Sequence, residues 1–153
     1  MDTKQYLSQI SHMDKMINKK LVEISQLREL SVSISAVANE ERVQTTPDPD
    51  RIGANLSKIM DMEKEVNDMI DRFVDLKKEI LQIINMIENH KYRKILFEKY
   101  FKYKSIYTIA EELEMTDRGC KKAHKRAIEE FEKIINTIYS ITIDSSLLYM
   151  VEL

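Results

Sequence analysis

Two glycines, two prolines and a single cysteine in 153 residues exclude a good deal before any motif is sought. So few turn-forming residues leave few places to reverse, which argues against many-stranded sheets and for long helices. Cys120 has no second cysteine to pair with, which fits a reducing cytoplasm. No apolar run reaches the length of about 18 residues that a membrane span needs. The opening stretch MDTKQYLSQISHMDK has no basic region followed by an apolar one, so no export signal is expected. His12, His90 and His124 lie far apart, without cysteines or acidic residues at metal-ligand spacing. There is no phosphate-cradling glycine loop and no Ser/His/Asp arrangement. The expectation is a protein that is not an enzyme and needs no metal or cofactor.

What the chain does have is charge, unevenly placed. Between Lys91 and Lys133 there are 12 Lys and Arg against 8 Asp and Glu, a balance of +4; elsewhere 12 stand against 18, a balance of -6. A basic module joined to an acidic one points to a polyanionic partner for one part only.

The acidic part reads as helix. Ile52, Ile59, Val66, Phe73, Ile80 and Ile87 fall seven apart, and Met62, Met69, Leu76 and Ile83 repeat the spacing three residues behind. That is the a/d pattern of a coiled coil, held for about five heptads over a helix of about 55 Å. Leu56, Ile70 and Ile84 widen the stripe beyond what one partner helix requires. Met62 and Met69 sit in the core column as filler. An earlier segment, Thr3 to Ala38, steps by three or four through Leu7, Ile10, Met13, Ile17, Leu21, Ile24, Leu27, Leu30, Ile34 and Val37, with Lys20 and Ser31 breaking the strict repeat. Pro47 and Pro49 interrupt helix between the two, and Asp48 and Asp50 suit a turn and cap. The expected first domain, residues 1–89, is a long antiparallel helical hairpin with its loop at about 40–50. Ile59, Val66, Phe73, Leu76, Ile80, Ile83 and Ile87 are its expected oligomerisation residues, with a homodimer favoured.

Residues 90–136 read as three short helices: Tyr92 to Phe101, Ile106 to Leu113, and a third after the break at Glu114, Met115 and Thr116. Ser105 and Thr116 are the expected N-caps. The inward faces are Ile106, Ile109, Ala110 and Leu113, then Cys120, Ala123, Ala127 and Phe131; small residues let two helices cross closely. That leaves Asp117, Arg118, Lys121, Lys122 and Lys125 facing outward, within a run that places five cations in the nine positions from Arg118 to Arg126. A basic stripe at the start of a helix suits a recognition helix in the major groove of double-stranded DNA. Lys102 and Lys104, ahead of the second helix, and Arg126 are expected to flank the groove on phosphates. His124, beside the buried face, is expected to pack. The tail, residues 137–153, is ambiguous: Ile141 and Ile143 alternate as in a strand, while SSLLYMVEL suits a helix from Ser145.

The run IAEEL, a short break with a capping hydroxyl, then CKKAHKRAIEEF, resembles the DNA-reading C-terminal module of bacterial sigma factors. It resembles more closely the sigma-like late-gene regulators carried by phages of Gram-positive bacteria, the ArpU and RinA type, across about residues 90 to 135. Thr108 stands where that pattern usually has glutamate, Glu114 where it has glycine, and Cys120 where valine is common. Glu114 must therefore take a turn backbone that glycine adopts more easily. The resemblance implies an all-α transcriptional regulator in the bacterial host cytoplasm, with RNA polymerase as a further partner. The alternatives are a small terminase subunit, which joins similar elements around a packaging site, and a purely structural coiled-coil protein.

Overall fold

The computed structural model describes residues 2–40 and 49–151. Within them the protein is all-α: α1 (Thr3–Glu40), α2 (Pro49–Asn85), α3 (His90–Tyr100), α4 (Ile106–Glu112) and α5 (Asp117–Val151), with no strand among the described residues. None of these helices is long and apolar enough to cross a membrane. Most of the loop expected at 40–50, with Pro47 and Asp48, lies outside the described residues, as do the side chains of Ile34, Val37 and Ile52.

The chain divides into two compact units. One is His12–Val74; the other joins Met1–Ser11 to Asp75–Leu153. In the first, Ile17 and Ile24 of α1 pack with Ile59 and Val66 of α2, flanked by Leu27, Met62, Met69, Ile70 and Phe73. Met62 and Met69 thus border the core, as their heptad positions require. Lys20, which breaks the apolar repeat, lies 2.9 Å from Glu65, and Arg28 pairs with Glu63. Ser31, the other interruption, turns its hydroxyl back onto the carbonyl of Leu27. Each irregularity of α1 has a local partner.

In the second unit α2 ends at Asn85 without glycine or proline. Met86 and Ile87 donate to the carbonyls of Ile83 and Ile84, a tightened last turn. Asn89 caps α3, accepting from the amides of Lys91 and Tyr92. Arg93 reaches back onto the carbonyls of Ile87 and Glu88, so the corner is held by side chains. Ile80, Ile83, Ile84 and Ile87 are buried, while Leu76 is half-buried. Of the seven residues expected to face another copy, five are therefore buried inside one chain, and Phe73 and Leu76 are partly so. Among the described residues of α2, the large apolar side chains left exposed are Leu56, Met60 and Val74.

The tail needs correcting. Residues 137–151 continue α5 without a break, so neither the alternating segment nor a fresh helix from Ser145 exists. The β-branched alternation was misleading because Thr137, Thr142 and their serine neighbours bond the carbonyl four residues back, inside a helix.

Candidate nucleic-acid interface

Three helices build this site. Ile95 of α3, Ile109 and Ala110 of α4, and Cys120 and Ala123 of α5 form one buried cluster, with Tyr92, Ile106, Leu113 and Met115 at its edge. The alanines let the helices approach. Ala127 and Phe131 continue the buried face of α5. Ser105 caps α4 by accepting from the amide of Thr108 at 3.2 Å, and its hydroxyl also meets that of Thr108.

The corner between α4 and α5 is set by hydrogen bonds. The amide of Met115 donates to the carbonyl of Ala110 at 2.8 Å and that of Glu114 to Glu111 at 3.2 Å. This pair of bonds is the Schellman closure of a helix end, which places the intervening residue in the left-handed region. Glu114 occupies that position with φ of 53°, the backbone glycine would adopt more easily. Thr116 then starts α5: its hydroxyl accepts from the amide of Gly119 at 3.1 Å. A Cβ on residue 119 would stand 2.9 Å from that oxygen, so the glycine leaves room for the cap.

With the inward face fixed, Asp117, Arg118, Lys121, Lys122, Lys125 and Arg126 are all exposed. Asp117 lies in the first turn, where the helix dipole favours an anion. Among the described residues, no carboxylate pairs with Arg118, Lys122, Lys125 or Arg126. Lys121 lies over the ring of Tyr107, 5.2 Å from its centroid and 3.5 Å from its hydroxyl. Tyr107, on α4 and 58% exposed, is a candidate that sequence reading passed over. Its signal was an aromatic at an outward position of α4, visible only once the inward set is known.

Lys102 and Lys104 stand differently. Glu98 of α3 is buried, and Lys102 approaches its Oε1 at 3.2 Å while Lys104 approaches Oε2 at 2.6 Å. Lys104 also meets both oxygens of Glu112 at 2.9 Å. Lys104 first, then Lys102, holds the Glu98 carboxyl below its ordinary range against the opposing effect of burial. Glu98 first, then Glu112, holds Lys104 protonated above its ordinary range. These two cations already have carboxylate partners within the fold.

His124 packs inward. Its Nε2 lies 3.0 Å from the hydroxyl of Tyr100, and burial, with Lys99 and Lys4 adding to it, lowers its pKa to about 4. It adds no charge to the stripe near neutral pH. Burial pushes the Tyr100 hydroxyl up to about 12. Burial, then Asp117, raises the Cys120 thiol, so the thiolate is disfavoured at this core position. Among the described residues, no group of three or more His, Cys, Asp or Glu is placed to hold a metal ion.

Fold and site together define an all-helical protein whose last helix begins, behind a hydroxyl cap, with an exposed and largely unpaired cationic stripe. No family model, no curated protein and no solved structure matches the chain.

Proposed function

We propose that the chain is a sequence-specific DNA-binding transcriptional regulator of phage or prophage genes, acting in the bacterial cytoplasm. In this reading α4, the corner at Glu114 and α5 are a helix-turn-helix, and α5 enters the major groove. The observation that carries it is the cation stripe: Arg118, Lys122, Lys125 and Arg126 have no carboxylate partner among the described residues, in a chain of net charge -2. Unpaired cations on a capped helix start are available to phosphates and to base edges. Tyr107 and Lys121 extend the same surface onto α4.

The long helices are proposed to be an antiparallel hairpin through which copies associate. Support comes from Lys20 meeting Glu65 while the later Arg28 meets the earlier Glu63. The resemblance to sigma modules makes host RNA polymerase a proposed partner, and no catalytic role is assigned. The test is selection of bound fragments from random and genomic DNA, followed by fluorescence anisotropy on the selected site and a scrambled one. Enrichment of one motif, bound by a dimer, supports a regulator. A closed ring of many subunits on that motif would instead mean a packaging protein, and no enrichment a structural one.

A further inference from the structure

The last half of α5 has a surface unlike its first half. From Ile134 to Val151 the sequence IINTIYSITIDSSLLYMV holds one charged residue, Asp144, in a chain that is 33% charged. Every residue from Asn136 to Ser146 is exposed, and among them Tyr139 and Ile141 are 61% exposed and Ile143 is 59%. The serine and threonine hydroxyls have no proton left to donate to water there. The hydroxyls of Thr137, Ser140, Thr142, Ser145 and Ser146 each bond the carbonyl four residues back, at 2.8 to 2.9 Å. A helix whose hydroxyl donors are satisfied internally leaves no donor stranded when its surface is dried.

The apolar positions also have a seam. Ile134, Ile138 and Ile141 recur at steps of four and three, the spacing at which one helix meets another side by side, and Ser145 follows on the same face. With no cation, this segment has nothing for DNA or for anionic lipid headgroups. With one anion, it has no charge pattern to match on a charged partner either. A surface of the same kind meets both conditions: it needs no countercharge, and almost no like charges are brought together. Two such helices, each about 27 Å long, would bury roughly 1,000 Å² together, near the lower bound for specific association.

We infer that Ile134–Val151 of α5 docks against the same segment of a second copy of this chain. The pairing rests on the reading above only in its consequence, and it moves the dimer contact from the long N-terminal helices to α5: one helix then carries both the cation stripe and the dimer contact, so that two stripes are presented to two half-sites. The contact itself stands without DNA.

The test uses the full chain in sedimentation equilibrium up to about 100 µM, a range that captures weak dimers. The wild type is expected to dimerise. Ile138→Lys together with Ile141→Lys, both exposed in the single chain, should keep helicity and melting temperature while weakening dimerisation at least about tenfold. Under mild oxidation Ser145→Cys, on the seam, should cross-link faster than Ser146→Cys, one residue round the helix; wild type, with Cys120 buried, gives the background. A monomeric wild type, an undiminished dimer in the lysine variant, or equal cross-linking at 145 and 146 would each overturn the inference. An undiminished dimer would leave the contact to the N-terminal helices. A monomer that binds phosphatidylcholine vesicles would assign the segment to a lipid surface. Dimerisation without any DNA binding would sink the regulator and leave this contact standing.

Discussion

Lys102 and Lys104 on one side, and Arg118, Lys122, Lys125 and Arg126 on the other, belong to the same three-helix assembly and differ in what surrounds them. The first pair closes on Glu98, a carboxylate buried in α3, and Lys104 is shared with Glu112. The second group faces outward from α5 with no carboxylate partner among the described residues. In sequence both are lysines and arginines near a helix start. Their difference teaches that a positive charge is available to a ligand only where the fold leaves it unpaired, so the two groups should respond to substitution in opposite ways.

The largest effect should come from the unpaired group. Replacing Lys122 and Lys125 of that group with alanine, together with Lys121 over the Tyr107 ring, should lower affinity for the selected DNA about a hundredfold at physiological salt, and flatten the log–log salt slope by about 2.7. Anisotropy at several salt concentrations reads both, and melting should stay unchanged because all three are exposed. Equal affinity in the triple variant would reduce the stripe to a solvated face.

Next comes His124, which lies between the cations of α5 in sequence yet joins neither group. Its folded pKa, about 4, is depressed below the ordinary 6.5. The unfolded chain therefore binds a proton that the folded chain refuses. This stability is fully present above pH 6.5 and is lost as pH falls towards 4, by about 3 kcal/mol at most. Urea unfolding of the wild type and His124→Gln at pH 7.5 and 4.5 measures it; parallel losses in both would show that His124 is not responsible.

The paired group can be converted into the unpaired kind. Glu98→Gln together with Glu112→Gln removes the charges that hold Lys102 and Lys104, and their freed ammonium groups should raise affinity for any DNA sequence, up to about tenfold. In the wild type the Glu98 contribution runs the usual carboxylate way: because its pKa is lowered, the stability is present above the ordinary carboxylate range and lost as pH falls through the depressed value. Unaltered DNA binding in the double variant would mean that these lysines point away from the duplex.

The smallest change concerns the frame of the stripe. Thr116→Ala deletes the bond to the amide of Gly119 and should cost about 1 kcal/mol of stability, with a slight loss of DNA affinity as the first turn of α5 frays. Denaturant titration detects the former, and no shift in midpoint would show that the cap contributes nothing here.

Local chemistry alone determined much of this protein. The scarcity of glycine and proline, the three-to-four spacing of Ile, Leu and Ala, and the hydroxyls of Ser105 and Thr116 dictate helices, their starts and their buried faces, because each acts within a turn or two of its own position. The same local logic gave Glu114 its left-handed backbone and faced Cys120, Ala123, Ala127 and Phe131 inward. Only the tertiary structure decided which charges are used up, since the Glu98 carboxylate meets Lys104 across the turn that ends α3, and no spacing rule predicts that. It also decided that the heptad column of α2 is largely covered within one chain, and that Tyr107 stands under Lys121. The tail was decided by neither periodicity nor composition, because β-branched residues favour a strand yet lower helix propensity only slightly. Its hydroxyls settle the matter only when the carbonyls four residues back are there to receive them.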